Sequence, residues 1–248
     1  MKLFGIAAIV AVSQAGLTDV VEDKLYSNGE IVDPKSPKSS AGAASEDIDE
    51  REDRRYVDLS LMSSKHWKKQ GNGRDWDERK FWGYGCHCFM VGDRPMSDMG
   101  HGKPVDALDS ACRLWKDCQK CVRENHGDDC IGEMRKYTWK YSSKQQTFVM
   151  MNKPGTCERE IGECDLKFVF DTYANKDSYN EDFNYFFGGF DKNDDQDSCP
   201  STPGTPVAHQ CCGGYTSAWY WISSNNQQCC VDASNNKIQH PADVNATC

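Results

Sequence analysis

Asp191-Lys192-Asn193-Asp194-Asp195-Gln196-Asp197 sets oxygen-bearing side chains at alternate positions, the way a calcium loop begins. Asp191, Asn193, Asp195 and Asp197 are its candidate ligands. The sixth place holds Gln196 instead of glycine and the twelfth holds Thr202 instead of glutamate, so a solvated acidic linker is the competing reading. His87, His101 and His126, the histidines weighed as general bases, fall between the expected elements and read as surface groups. Fourteen cysteines supply the other chemistry. So many in one chain point to disulfides formed in an oxidising compartment.

Composition limits what those groups can serve. The chain has 248 residues and a formal net charge of -9, which argues against nucleic acid, whose phosphates call for surplus Lys and Arg. Beyond the first dozen residues no apolar run approaches the ~18 needed to cross a bilayer, so no transmembrane segment is expected. Leu3 to Val12 has the length of a signal-peptide core, and Ser13-Gln14-Ala15 supplies a small-x-small cleavage pattern, so residues 1–15 read as a signal peptide of a secreted protein. Residues 16–55 are poor in aromatics and rich in Asp, Glu, Ser and Pro, and are expected to be disordered. They end on the basic pair Arg54-Arg55, with Arg51 and Arg54 as R-x-x-R, so the segment is either a cleaved propeptide or a permanent tail.

Globular composition starts at Tyr56. Apolar spacing predicts a short helix from Val57 toward Trp67, and a second helix over Pro104–Cys118 with proline and acids near its start. Tyr137–Tyr141 alternates with period two and Gln145–Met151 is β-prone at Phe148-Val149, which predicts a hairpin. A third helix is expected from Cys157 to Phe170.

Tyr84-Gly85-Cys86-His87-Cys88, Asp109-Ser110-Ala111-Cys112-Arg113-Leu114-Trp115-Lys116-Asp117-Cys118 and Cys157 to Asp165, taken in order, resemble the calcium loop and the two long helices of secreted phospholipase A2. The resemblance covers roughly 56–199. It implies a mainly α, disulfide-rich fold with two antiparallel helices and a β-wing, and bridges Cys88–Cys112 and Cys118–Cys164, with Cys199 as a candidate mate for Cys86. Ala111 and Gly162 stand at family cysteines whose partners are also missing, so two bridges are absent as pairs.

In that family a histidine acts as base on water, an aspartate orients it, and a calcium ion held by loop carbonyls and a second aspartate polarises the ester. The resemblance places Trp115 at the histidine, Lys116 at the calcium aspartate and Asp165 at the orienting carboxylate, and makes His87, Phe89 and Val91 calcium-loop positions, the last two replacing glycines. An indole N–H cannot accept a proton, and an ammonium repels a divalent cation. Asp117 cannot substitute, because one residue turns about 100° around a helix, away from the cleft. Asp165 is expected to accept a hydrogen bond from Trp115 or to pair with Lys116, with Tyr137 or Tyr141 nearby. No catalytic residue set is intact, no cofactor is expected, and calcium has only the weak Asp191 pattern behind it.

Residues 200–248 form a separate expectation: Cys211-Cys212 and Cys229-Cys230 flank Ala218-Trp219-Tyr220-Trp221-Ile222, similar to di-cysteine modules of extracellular matrix proteins. About 50 residues bury little core, so a small β-rich module stapled by disulfides is predicted. Trp219 and Trp221 are either packed or a binding face. Asn245-Ala246-Thr247 is a glycosylation sequon. The mates of Cys121 and Cys248 are not assigned. The leading expectation is a secreted phospholipase A2-like protein without hydrolysis that acts as an extracellular matrix or binding protein, with a phospholipid surface or an extracellular matrix protein as candidate partner. The alternatives are an enzyme cleaving the sn-2 ester through a different base, and a non-hydrolytic protein perturbing phospholipid surfaces.

Overall fold

A computed structural model of the chain describes residues 57–70, 76–88, 100–132, 134–193, 198–201 and 208–248, and the backbone of 25–27 and 30–32. The expected signal peptide, the basic pair Arg54-Arg55, and Phe89, Val91, Asp195 and Asp197 lie outside the described residues.

Three helices carry the core. Helix α1 (Val57–Lys69) buries Leu59, Met62 and Trp67. Helix α2 (Ala107–His126) starts where the Asp106 side chain accepts from the Asp109 N–H at 2.8 Å, and stops at Gly127, whose φ of 95° favours glycine. The sequence reading ended this helix at Cys118; buried Cys121 and Val122 continue the same apolar face for two more turns. Helix α3 (Cys157–Ala174) is capped by Thr156. Trp115 meets Asp165, Cys118 meets Cys164 and His126 meets Glu160, so α2 and α3 run antiparallel.

The wing is strand β3 (Thr138–Ser142) paired antiparallel with β4 (Thr147–Met150). It is fixed to α1 by Trp139, fully buried, whose indole N–H donates to Asp58 Oδ1 at 2.9 Å. Two further strands extend this sheet: β1 (Leu25–Ser27) pairs with β3, and β2 (Glu30–Val32) pairs with β1, in the order β2-β1-β3-β4. The expectation of disorder through 16–55 is corrected at these residues. Their signal was present as Asn28-Gly29, a strong hairpin dipeptide, between β-prone Tyr26 and Ile31-Val32. The polar average of the whole segment hid it.

Beyond Cys199, β5 (His209–Gly213) pairs with β6 (Trp219–Ser223), and β7 (Gln227–Asp232) with β8 (Asn235–Asp243). Among the described residues, eight strands in small antiparallel sheets accompany three α-helices. Seven disulfides use all fourteen cysteines. Cys88–Cys112, Cys118–Cys164 and Cys86–Cys199 are bonded as the resemblance implies. Cys121, unassigned from sequence, bonds Cys211 across 90 residues and fastens α2 to the C-terminal module. Cys248 bonds Cys230. Gly162, at a family cysteine, has no room for a side chain, because a Cβ there would lie 2.6 Å from Met150 Sδ.

Candidate functional site

Helix α2 carries the site on two faces. On the inward face, Trp115 is 3% exposed and packs against Phe168 of α3, ring centroids 5.2 Å apart. Its Nε1–H donates to Asp165 Oδ1 at 2.7 Å. The Tyr137 hydroxyl donates to Asp165 Oδ2 at 2.6 Å. The carboxylate is 5% exposed and holds one donor on each oxygen, which is what a buried charge requires. Burial, with the Asp165 and Asp58 carboxylates adding to it, holds the Tyr137 phenol protonated far above its ordinary range. Tyr141 plays no part: its hydroxyl donates to Gln146 Oε1.

A buried clamp holds the loop in front of α2. Asp109 is fully buried; its Oδ2 accepts from Cys86 N at 2.9 Å and Val105 N at 3.0 Å, and its Oδ1 from His87 N at 2.8 Å and Cys88 N at 3.3 Å. Burial raises its pKa against the pull of these N–H groups. Gly85 makes the approach feasible, with φ at 58° and a Cβ position 2.5 Å from Asp109 Cγ. Sequence reading quoted Asp109 as a motif residue without seeing this role. The Tyr84 hydroxyl donates to Asp106, the cap residue of α2, tying loop and helix together.

On the outward face, Arg113, Lys116, Asp117 and Lys120 recur at helical spacing and line a recess of about 180 Å³ with His87, Gly100, His101 and Gly102. Lys116 is 3% exposed. Burial lowers its pKa to about 7, Lys192 adding to the effect and Asp109 opposing it. Asp117 lies 3.7 Å from Arg113 Nε and 3.6 Å from Lys120 Nζ. Asp117 lines this recess with Lys116, on the face of α2 turned away from Trp115 and Asp165. His87, expected at the surface, is buried, and its Nε2–H donates to Gly102 O at 3.1 Å. Burial takes its pKa down to about 4. His101 is exposed at the rim. His126, also expected in a surface loop, ends α2 with Nε2 2.8 Å from Glu160 Oε2.

The remaining candidates stand apart. Asp191 Oδ1 accepts from the Asn193 N–H at 2.9 Å, a local turn. Among the described residues no group of three His, Cys, Asp or Glu side chains is placed to hold a metal. Trp219 packs at the core edge and its Nε1–H donates to Glu160 Oε2 at 2.7 Å, while Trp221 lies under Lys120 Nζ at 4.9 Å. Asn245 is exposed.

No family model matches the chain. It is 33% identical over 102 residues to the basic phospholipase A2 homolog acutohaemolysin of Deinagkistrodon acutus, covering 41% of this chain and 62% of that protein. It is likewise 33% identical over 102 residues to the basic phospholipase A2 homolog LmutTX of Lachesis muta muta, covering 72% of it. The basic phospholipase A2 beta-bungarotoxin A-AL3 chain of Bungarus multicinctus is 33% identical over 82 residues, 51% of its length. The chain thus belongs to the phospholipase A2 family, through a region that makes up less than half of its own length. It spans about three fifths of the first of these relatives.

Proposed function

We propose that this chain is a secreted phospholipase A2-like protein that does not hydrolyse lipid and acts as an extracellular binding protein. The observation that carries the reading is the 2.7 Å hydrogen bond from the Trp115 indole to Asp165. The resemblance puts a histidine base where Trp115 stands and a calcium-holding aspartate where Lys116 stands. The indole donates to the orienting carboxylate as an imidazole would, yet has no lone pair with which to deprotonate water. Loss of the general base alone costs about two to four orders of magnitude in rate.

The residues do not fit the family's calcium ion. Lys116 projects beside Arg113 and Lys120, and among the described residues the one carboxylate lining that recess, Asp117, already lies between Arg113 and Lys120. A second reading, docking on a phospholipid surface without cleavage, is favoured by Tyr185, Phe186 and Phe187, three consecutive aromatics each more than half exposed. The test is release of fatty acid from phosphatidylcholine vesicles by the purified secreted chain, with and without calcium, together with leakage of a trapped dye. No fatty acid release is expected in either condition. Calcium-dependent turnover at rates ordinary for this family would refute the reading, and leakage without release would select the second.

A further inference from the structure

The outward face of α2 concentrates positive charge on a molecule whose net charge is -9. Among the described residues, Arg113, Lys116 and Lys120 line one recess with a single carboxylate, Asp117. Their exposure is graded. The Lys116 side chain lies buried at the bottom, and the side chains of Arg113 and Lys120 are 48% and 39% exposed at the rim. The two ion pairs to Asp117 are 3.7 and 3.6 Å long, well beyond the ~2.7–2.9 Å of a charge-assisted hydrogen bond. Asp117 therefore balances the rim charges without gathering their N–H groups into short bonds. The volume, about 180 Å³, accepts a tetrahedral oxyanion with a few waters.

We propose that this recess is a binding site for a phosphate-class oxyanion, with Lys116 at its base and Arg113 and Lys120 closing over it. A guanidinium fork and two lysine side chains lining one recess match the several oxygens of a phosphate monoester. The walls are set by contacts independent of any ligand. Asp109 fixes the backbone of Cys86, His87 and Cys88, and the His87 ring is held to Gly102 O, so the recess is formed before the anion arrives. A negative guest also relieves the burden of an ammonium buried near Lys192. The inference rests on the recess and holds whether or not the chain hydrolyses lipid, so its test reads binding alone.

The full secreted chain is titrated with inorganic phosphate by calorimetry, with ionic strength held constant by chloride. Saturable binding at one site is expected. Arg113→Ala and Lys120→Ala, both at exposed rim positions that leave the core untouched, each weaken it about tenfold, the size of one lost bond to a charged group. Lys144→Ala, at the exposed hairpin turn between β3 and β4, leaves it unchanged. The source of the phosphate is read from flotation with phosphatidylcholine vesicles that contain or lack phosphatidic acid. Flotation only with phosphatidic acid, competed by inorganic phosphate, assigns a lipid headgroup. Calorimetric binding without flotation assigns a soluble phosphate. Absence of saturable phosphate binding, or binding that both rim variants leave intact, overturns the proposal. So does flotation that phosphate does not compete.

Discussion

Replacing Trp115 by phenylalanine removes one N–H from a carboxylate that is 5% exposed. The lost bond, 2.7 Å long and made to a charged acceptor, contributes ~1.5–3 kcal/mol. Trimming an indole to a phenyl ring at a site 3% exposed, against Phe168, adds about 1 kcal/mol for the space left behind. The expected destabilisation is therefore about 3 kcal/mol, or a fall in Tm of roughly 6–12 °C for a chain of this size. Urea unfolding with the disulfides intact measures it, and the dependence on urea concentration should keep its slope. Tyr137→Phe removes the 2.6 Å bond to the other oxygen without opening a comparable cavity, and should cost about 2 kcal/mol. The double variant leaves Asp165 without either donor, so the two effects should not simply add. A cost below about 0.5 kcal/mol for Trp115→Phe would refute the claim that the indole satisfies the buried carboxylate.

Lys116 titrates near 7 in the folded chain against 10.5 unfolded, so between those values the unfolded state binds more protons and stability rises with pH; Lys116→Met should flatten that slope in unfolding measurements from pH 7 to 10. Burial is the main cause, Lys192 and Lys120 add to it, Asp109 and Asp117 oppose it, and Lys192, itself lowered, contributes with the same sign. His87 is lowered to about 4 by burial, with Lys116, Arg113 and His101 assisting and the bond to Gly102 opposing. Its contribution is complete above pH 6.5 and falls away as pH drops toward 4, so His87→Gln should flatten acid unfolding across that window. Replacing Cys121 and Cys211 together by serine removes a crosslink spanning 90 residues and should cost about 2–4 kcal/mol, with faster amide exchange in β5 and β6 before the α2–α3 core is affected.

The inward half of the site was legible because helix spacing and a resemblance carry it. Trp115 and Asp165 sit on elements whose periodicity is plain, and the hydrogen bond between them is one of the two partnerships expected. Tyr137 and Tyr141 share the period-two stretch that marks the wing, and only the fold decides which one reaches Asp165. The outward half was misread for reasons of long-range packing. His87 follows a cysteine in a glycine-rich stretch, which reads as surface, yet Gly100 and Gly102 return beside it and bury the ring. The mate of Cys121 lies in a separate part of the chain, and spacing alone cannot set connectivity among fourteen cysteines.

Glu160 ties the residues beyond 200 to helix α3. It lies on α3, 2% exposed, and nothing in its sequence context marks it. Its Oε2 accepts from the Trp219 indole at 2.7 Å and lies 2.8 Å from His126, and its Oε1 accepts from Tyr215 N at 3.1 Å. Asn125 Nδ2 also donates to Oε2 at 3.4 Å, so two of the four partners come from the residues beyond 200. A carboxylate buried on α3 without those two would keep the desolvation penalty and lose part of its compensation. Ala218 completes the same dry surface by packing into the core cluster, and the Trp219 N–H reaches Cys118 Sγ at 3.1 Å beside the bridge joining α2 and α3. The phospholipase A2-like part presents a buried charge that the C-terminal residues satisfy, and one bridge, Cys121–Cys211, fastens them over it. Charge satisfaction at Glu160 and apolar packing at Ala218 thus meet on one contact across residue 200.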